Sequence, residues 1–91
     1  MKKKKLNRSI RDSVILLIVD KLDVDISEVT EEAALYNLGA DSLDLVEILI
    51  DMEKYFAIAI PISFYDAVNP AEITVGEIIA VVEKYVKPTE I

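Results

Sequence analysis

The sequence predicts an all-α fold: a small helical bundle of three main helices and one short helix, with a long loop after the first helix. Apolar residues recur at i, i+3 and i+4 in three segments, as on the buried face of an amphipathic helix. Two of these segments open with a Ser or Thr three residues before an acidic residue, which is typical of a helix N-terminus. Only two glycines and three prolines interrupt 91 residues, and the alternating stretch AIAIPI at 57–62 is too short to indicate a strand.

The first helix is expected from about Ser9 to Leu22, because Ser9 and Asp12 form a capping pattern. Its expected core residues are Ile10, Val14, Leu17, Ile18 and Leu22. The following stretch, DVDISEVTEEAALYN, is acidic and irregular, which predicts a long loop. The apolar residues expected to hold this loop on the core are Ile26, Val29 and Leu35.

The second helix is expected from Ser42 to about Phe56 and has two apolar stripes. The core stripe consists of Leu45, Ile48, Leu49, Met52 and Phe56. The second stripe consists of Leu43, Val46 and Ile50, with Asp44, Glu47, Asp51 and Glu53 among them. An exposed apolar stripe with an acidic border predicts a docking surface. The alternative is that Val46 and Ile50 simply widen the core.

The C-terminal part is expected to contain a short helix at 63–68 and a last helix that opens at Thr74-Val75-Gly76-Glu77, a second capping box. Pro88 should end that helix. Its core face consists of Val75, Ile78, Ile79, Val82 and Val86. The chain is thus expected to divide into a basic, flexible tail at 1–8, one helical domain at 9–87 and a short tail at 88–91.

The distribution of charge limits the possible functions. The net charge is −7, but six of the ten basic residues lie in the first eleven, and the chain from Asp12 onward has 17 acidic and four basic residues, a net charge of −13. Such a domain repels nucleic acid and attracts partners with basic surfaces. KKKK followed by VILLIV is not expected to act as a signal peptide, since the apolar run is short and no cleavage site follows. The lysines are expected to be solvated, with a membrane-surface or partner-docking arm as the alternative, and the absence of cysteine fits a reducing, cytoplasmic setting.

Ser42 stands between Asp41 and Leu43-Asp44 at a predicted helix start. The chain has no histidine and no cysteine, so a hydrolase built on this serine has no evident activating base. Asp41 or Ser42 is a suitable helix cap. Alternatively, the exposed hydroxyl accepts a phosphate group at the helix N-terminus, and Asp41 and Asp44 attract a basic or metal-bearing enzyme that acts on it.

The run LGADSLDLVE at 38–47, with Val29-Thr30 before it and Ile60-Pro61 after it, resembles free-standing, type II acyl carrier proteins. The resemblance covers about residues 9–87. It implies an acyl-carrier bundle that is not an enzyme and carries 4′-phosphopantetheine on Ser42, added from coenzyme A by a phosphopantetheinyl transferase. The thiol of this arm would hold acyl groups as thioesters for fatty-acid, lipid or polyketide-type enzymes with basic docking surfaces.

The resemblance also implies which residues of the second helix meet these partners. The matching positions are Asp41, Leu43, Asp44, Glu47 and Ile50. Val46 and Asp51 join them as members of the same stripe and border. We expect the carrier to be a monomer, with no nucleic-acid partner and no stable membrane insertion.

The sequence departs from the family after the middle of the second helix. Lys54, Tyr55, Ala57 and Ala59 stand where acidic residues are common, and the segment at 62–73 is longer and more apolar. The cargo and pathway therefore stay open. The alternatives are a peptidyl or aminoacyl carrier, and a structural helical module in which Ser42 is only a cap.

A calcium loop starting at Asp23 is excluded by its own sequence. Asp23, Asp25 and Ser27 have the spacing of EF-hand ligands. However, Glu28 stands where the loop needs glycine, and Ala34 stands where it needs a bidentate glutamate.

Overall fold

A computed structural model describes residues 9–86, which form four α-helices joined by ordered loops. The helices are α1 (Ile10–Leu22), α2 (Ser42–Phe56), α3 (Ile62–Ala67) and α4 (Val75–Tyr85). The described residues contain no β-strand, and the isolated bridge between Ala34 and Thr74 is their only β-pairing. The all-α prediction is confirmed. In the described part of the chain, no helix has both the length and the apolar character needed to cross a bilayer.

α1 begins and ends as the sequence predicts. The hydroxyl of Ser9 accepts a hydrogen bond from the Asp12 N–H at 3.1 Å, which is the forward half of the expected capping box. Instead of completing the box, the Asp12 carboxylate lies 3.5 Å from the Arg11 guanidinium. The helix ends at Asp23, which adopts a left-handed conformation with φ 55° and donates its N–H to the Val19 carbonyl at 2.8 Å.

The buried face of α1 is centred on Val14 and Ile18, both fully buried as expected. Ile15, which the predicted stripe omits, is also buried at 6% exposure. Leu17 and Leu22 pack against the core but stay half-buried. The core face is therefore rotated slightly toward Ile15 relative to the simple periodic prediction.

The long loop contains two short 3₁₀ turns, Ile26–Glu28 and Leu35–Leu38, which the sequence did not reveal. Val29 and Leu35 are buried and hold the loop on the core, as predicted. The prediction that Ile26 also packs on the core is wrong, because Ile26 is 56% exposed. The Asp25 carboxylate caps the first turn by accepting the Ser27 N–H at 2.9 Å, and this turn presents Ile26 to solvent.

The same loop is bound to the start of α4 through backbone hydrogen bonds. Val75 donates its N–H to the Ala33 carbonyl, and Gly76 donates to the Glu31 carbonyl, both at 2.9 Å. A Cβ atom on Gly76 would lie 3.1 Å from that Glu31 oxygen, so the glycine permits the close approach. The loop that joins α1 to α2 is thus held against the N-terminus of α4.

The second and fourth helices confirm most of their predicted core stripes. In α4, Val81 is buried as well, and Val86 lies just past the end of the helix and is half-buried. α2 starts at Ser42 and ends at Phe56 as expected, with Phe56 only half-buried. α4 opens with a complete capping box, in which Thr74 and Glu77 exchange hydrogen bonds of 2.9 and 3.2 Å. The large residues buried to below 2% exposure are Val14, Ile18, Leu35, Leu45, Ile48, Leu49, Met52, Val75, Ile78 and Val82.

α3 lies one residue earlier than the predicted 63–68 and is attached to α2 by one carboxylate. Glu53 accepts the Ile60 N–H at 2.7 Å and the Tyr65 hydroxyl at 3.0 Å. Its side chain therefore holds the α2–α3 connection instead of joining the acidic border expected on α2. α4 ends at Tyr85, before Pro88. Pro88 itself and the two predicted tails lie outside the described residues.

Candidate functional site

The approach to Ser42 is fixed by the end of the long loop. Gly39 has a φ of 94°, a left-handed conformation that residues with a Cβ rarely adopt. Ala40 follows it and is 2% exposed, and its N–H donates to the Leu35 carbonyl at 3.1 Å. Because Leu35 is itself fully buried, the core directly positions the start of α2.

Two aspartates around Ser42 form a reciprocal capping box. Asp41 is the N-cap, and its Oδ1 accepts the Asp44 N–H at 2.8 Å. Asp44 Oδ2 in turn accepts the Asp41 N–H at 3.2 Å. The sequence allowed either Asp41 or Ser42 to act as the cap, and the structure assigns this role to Asp41. Both carboxylates therefore stabilise the helix start, and the contribution of Asp44 to the cap was not predicted from the sequence.

Ser42 is the first residue of α2 and is exposed to solvent. Its hydroxyl forms no hydrogen bond within the part of the chain that the structure describes. Three other serines are more constrained: Ser9 caps α1, Ser13 is buried and Ser27 donates to Asp25 Oδ1 at 2.8 Å. Ser63 is also exposed and forms no hydrogen bond within the described residues, but it lies in the six-residue α3. The Ser42 hydroxyl is thus accessible and uncommitted.

The surroundings of this hydroxyl are compatible with an attached phosphodiester. N–H groups in the first turn of a helix have no partner within the helix, and the dipole there favours a negative group. The Asp41 carboxylate accepts the Asp44 N–H, and the Asp44 carboxylate accepts the Asp41 N–H. Neither carboxylate binds the N–H groups of Ser42 and Leu43. Attachment at Ser42 would therefore break no hydrogen bond of the described structure.

The second apolar stripe of α2 faces outward. Leu43 is 65% exposed, and Val46 and Ile50 are each 38% exposed. Val46 and Ile50 do not belong to the buried core cluster, which favours the outward-facing interpretation over the alternative in which they widen the core. The stripe starts one residue after Ser42 and continues along the helix.

The acidic border of this stripe is paired with a lysine from α1. Lys21 Nζ lies 3.5 Å from Glu47 Oε1 and 3.3 Å from Asp51 Oδ2. A hydrogen bond to Asp51, together with the charges of both carboxylates, raises the pKa of Lys21 above its ordinary value. No pattern along the chain predicts this contact, since it depends on how α1 and α2 pack.

No metal site accompanies these features in residues 9–86, where no group of three or more His, Cys, Asp or Glu side chains is arranged to hold an ion. In the acidic loop, Asp25 is engaged by Ser27, whose backbone N–H lowers the pKa of that carboxyl. The chemistry of the described residues is therefore concentrated at the start and outer face of α2.

Residues 12–81 match the family model described as a phosphopantetheine attachment site. The acyl carrier protein of Porphyromonas gingivalis is 46% identical over 79 residues, which cover 86% of this chain and 96% of that protein. The chain belongs to the acyl carrier protein family. The acyl carrier protein of Amoebophilus asiaticus is 45% identical over 76 residues, covering 82% of this chain and 90% of that protein. That of Thermotoga maritima is 44% identical over 69 residues, covering 75% of this chain and 80% of that protein.

Membership of the acyl carrier protein family confirms the predicted cofactor and role. Acyl carrier proteins bear 4′-phosphopantetheine, act as carriers and interact with biosynthetic enzymes. The structure supplies an amphipathic α2 whose N-terminus presents an accessible hydroxyl. The remaining questions are which residue carries the arm and which surface the enzymes bind.

Proposed function

We propose that Ser42 carries the 4′-phosphopantetheine arm of this acyl carrier protein. The observation that supports it is the Ser42 hydroxyl, exposed at the first position of a 15-residue helix and free of hydrogen bonds in the described structure. The arm supplies a thiol, which this cysteine-free chain lacks, and acyl groups are held on it as thioesters. The chain has no histidine, and the neighbouring Asp41 and Asp44 carboxylates are engaged in the capping box, so we assign the base that removes the hydroxyl proton to the transferase.

The outer face of α2 is proposed as the surface that partner enzymes bind. Its apolar residues are exposed next to the attachment point, and its carboxylates favour enzymes with basic surfaces. The proposed partners are a phosphopantetheinyl transferase and acyl-transfer, condensing and acyl-modifying enzymes of fatty-acid, lipid or polyketide-type synthesis. The docking residues are Asp41, Leu43, Asp44, Val46, Glu47, Ile50 and Asp51.

The four carboxylates of this face serve the domain as well as its partners. Asp41 and Asp44 cap α2, while Glu47 and Asp51 pair with Lys21. All of them stay on the protein surface, so these internal contacts still leave oxygen atoms available to a basic partner. We place the carrier in the cytoplasm as a monomer, in keeping with its cysteine-free sequence and acidic domain.

The test is incubation with coenzyme A, Mg²⁺ and a broad-specificity phosphopantetheinyl transferase, followed by intact mass measurement. The wild type should gain one phosphopantetheinyl group, and Ser42→Ala should gain none. Ser63→Ala is the matched control, because Ser63 is also exposed near a helix start, and it should load like the wild type. An unmodified wild type, or a group mapped to Ser63, would show that the assignment is wrong.

A further inference from the structure

The end of α1 places one ammonium group between two carboxylates of α2. Lys21 Nζ is within 3.5 Å of both Glu47 and Asp51, which are four residues apart and so lie on successive turns of one face. The Lys21 side chain is 28% exposed, and those of Glu47 and Asp51 are 45% and 37% exposed. The position therefore already binds a basic side chain, at a surface that other molecules can reach.

This contact differs from the other ion pairs of residues 9–86. The remaining pairs join Arg11 to Asp12 and to Glu31, so within that range only Lys21 pairs with α2. Lys21 is charged at neutral pH, as any exposed lysine is, and its hydrogen bond to Asp51 raises its pKa further. The outer face of α2 is thus partly neutralised from within the chain.

We propose that Lys21 competes with the basic side chains of partner enzymes for Glu47 and Asp51, and so sets how strongly α2 attracts those enzymes. The inference rests on the proposed docking role of α2 and names a residue that tunes it. A partner lysine or arginine that approaches these carboxylates must displace Lys21 or share them with it. Displacement is feasible because solvent-exposed ion pairs contribute little to stability and rearrange readily.

The geometry also favours one kind of partner side chain. Lys21 is a single point charge that contacts the two carboxylates through one nitrogen. A guanidinium group presents several N–H donors in a fixed plane and can bond two carboxylate oxygens at once. An arginine on the partner surface is therefore better suited than a lysine to replace Lys21.

The experiment measures association rate constants between a phosphopantetheinyl transferase and carriers that contain Ser42→Ala, so that binding is observed without modification. Lys21→Met removes the charge and retains the aliphatic stem in α1. Lys84→Met is the matched control, because it makes the same change in net charge on α4, where Lys84 Nζ lies 5.5 Å from the Tyr85 ring. Melting curves establish that each variant is folded.

At about 20 mM salt, where charges act over roughly 20 Å, Lys21→Met should raise the association rate constant by roughly threefold or more. Lys84→Met should raise it by less than about twofold, since its charge is not paired with α2. At about 0.3 M salt the difference should shrink toward none, because screening shortens the range to roughly 6 Å. In a Glu47→Gln/Asp51→Asn background, Lys21→Met should raise the rate constant by no more than Lys84→Met does.

An unchanged rate constant for Lys21→Met at low salt would overturn the inference. Equal gains in Lys21→Met and Lys84→Met, a gain of about threefold or more that persists without the two carboxylates, or no measurable association at low salt would overturn it as well. The loading test on carriers that retain Ser42 separates the two proposals. Failure to load refutes the assignment of Ser42, whereas the binding series in the Ser42→Ala background decides the role of Lys21.

Discussion

Truncation of Leu49 and of Leu43 separates the two faces of α2. Leu49 is fully buried and packs in the core, whereas Leu43 is 65% exposed and lies beside Ser42. Leu49→Ala removes a buried side chain and leaves a cavity, which costs about 2–5 kcal/mol of unfolding free energy. A domain of this size unfolds with a free energy of roughly 5–15 kcal/mol, so the loss is a large share of its stability.

The two variants should therefore differ clearly in thermal melts. A loss of 1 kcal/mol lowers the melting temperature of a small domain by about 4–8 °C, so Leu49→Ala should melt roughly 10–30 °C earlier. Leu43→Ala should stay within about 0.5 kcal/mol of the wild type, because it removes little buried surface. Its defect should instead be a slower loading rate with the transferase.

Ile50→Ala provides a second measurement on the outer face. At 38% exposure its truncation should cost much less than that of Leu49. Circular dichroism melts and transferase loading rates, measured on the same protein preparations, decide whether the outer stripe belongs to the core or to a docking surface. If Leu43→Ala or Ile50→Ala melts as early as Leu49→Ala, the outer stripe is part of the core and the proposed docking surface is wrong.

Three further predictions concern individual contacts. Asp41→Ala should lower the unfolding free energy by about 0.5–2 kcal/mol, because it removes the helix cap. Ser42→Ala should melt like the wild type, and equal melting of the two variants would contradict the cap assignment. Burial and the hydrogen bond to Glu53 raise the pKa of Tyr65 to about 12. The contribution of Tyr65 to stability should therefore be complete below about pH 10 and be lost as the pH rises through about 12. Ultraviolet titration should show one tyrosine that ionises at this high pH, and Tyr65→Phe should lack it. Gly39→Ala should cost roughly 1–2 kcal/mol at its positive φ and slow loading of Ser42, and an unchanged melt would show that the loop conformation is not required.

The sequence by itself determined the helices and the chemical character of the site. Leu45, Ile48, Leu49 and Met52 gave the core face of α2, since helical spacing alone places them on one side of the cylinder. The capping residues Ser9 and Thr74 marked helix starts, because such caps act within one turn of chain. The run around Ser42 carried the family resemblance in the same local way.

Contacts between segments could be decided only by the tertiary structure. Lys21 meets Glu47 and Asp51 because α1 crosses α2 at that point, and Glu53 turns away from the border to bind Tyr65. Likewise, the packing of α1 buries Ile15, and a capped turn exposes Ile26. Spacing along the chain fixes which side chains share a face. The crossing of helices and the turns of a long loop decide which of these faces meet, and the charged residues of α2 acquire their partners only there.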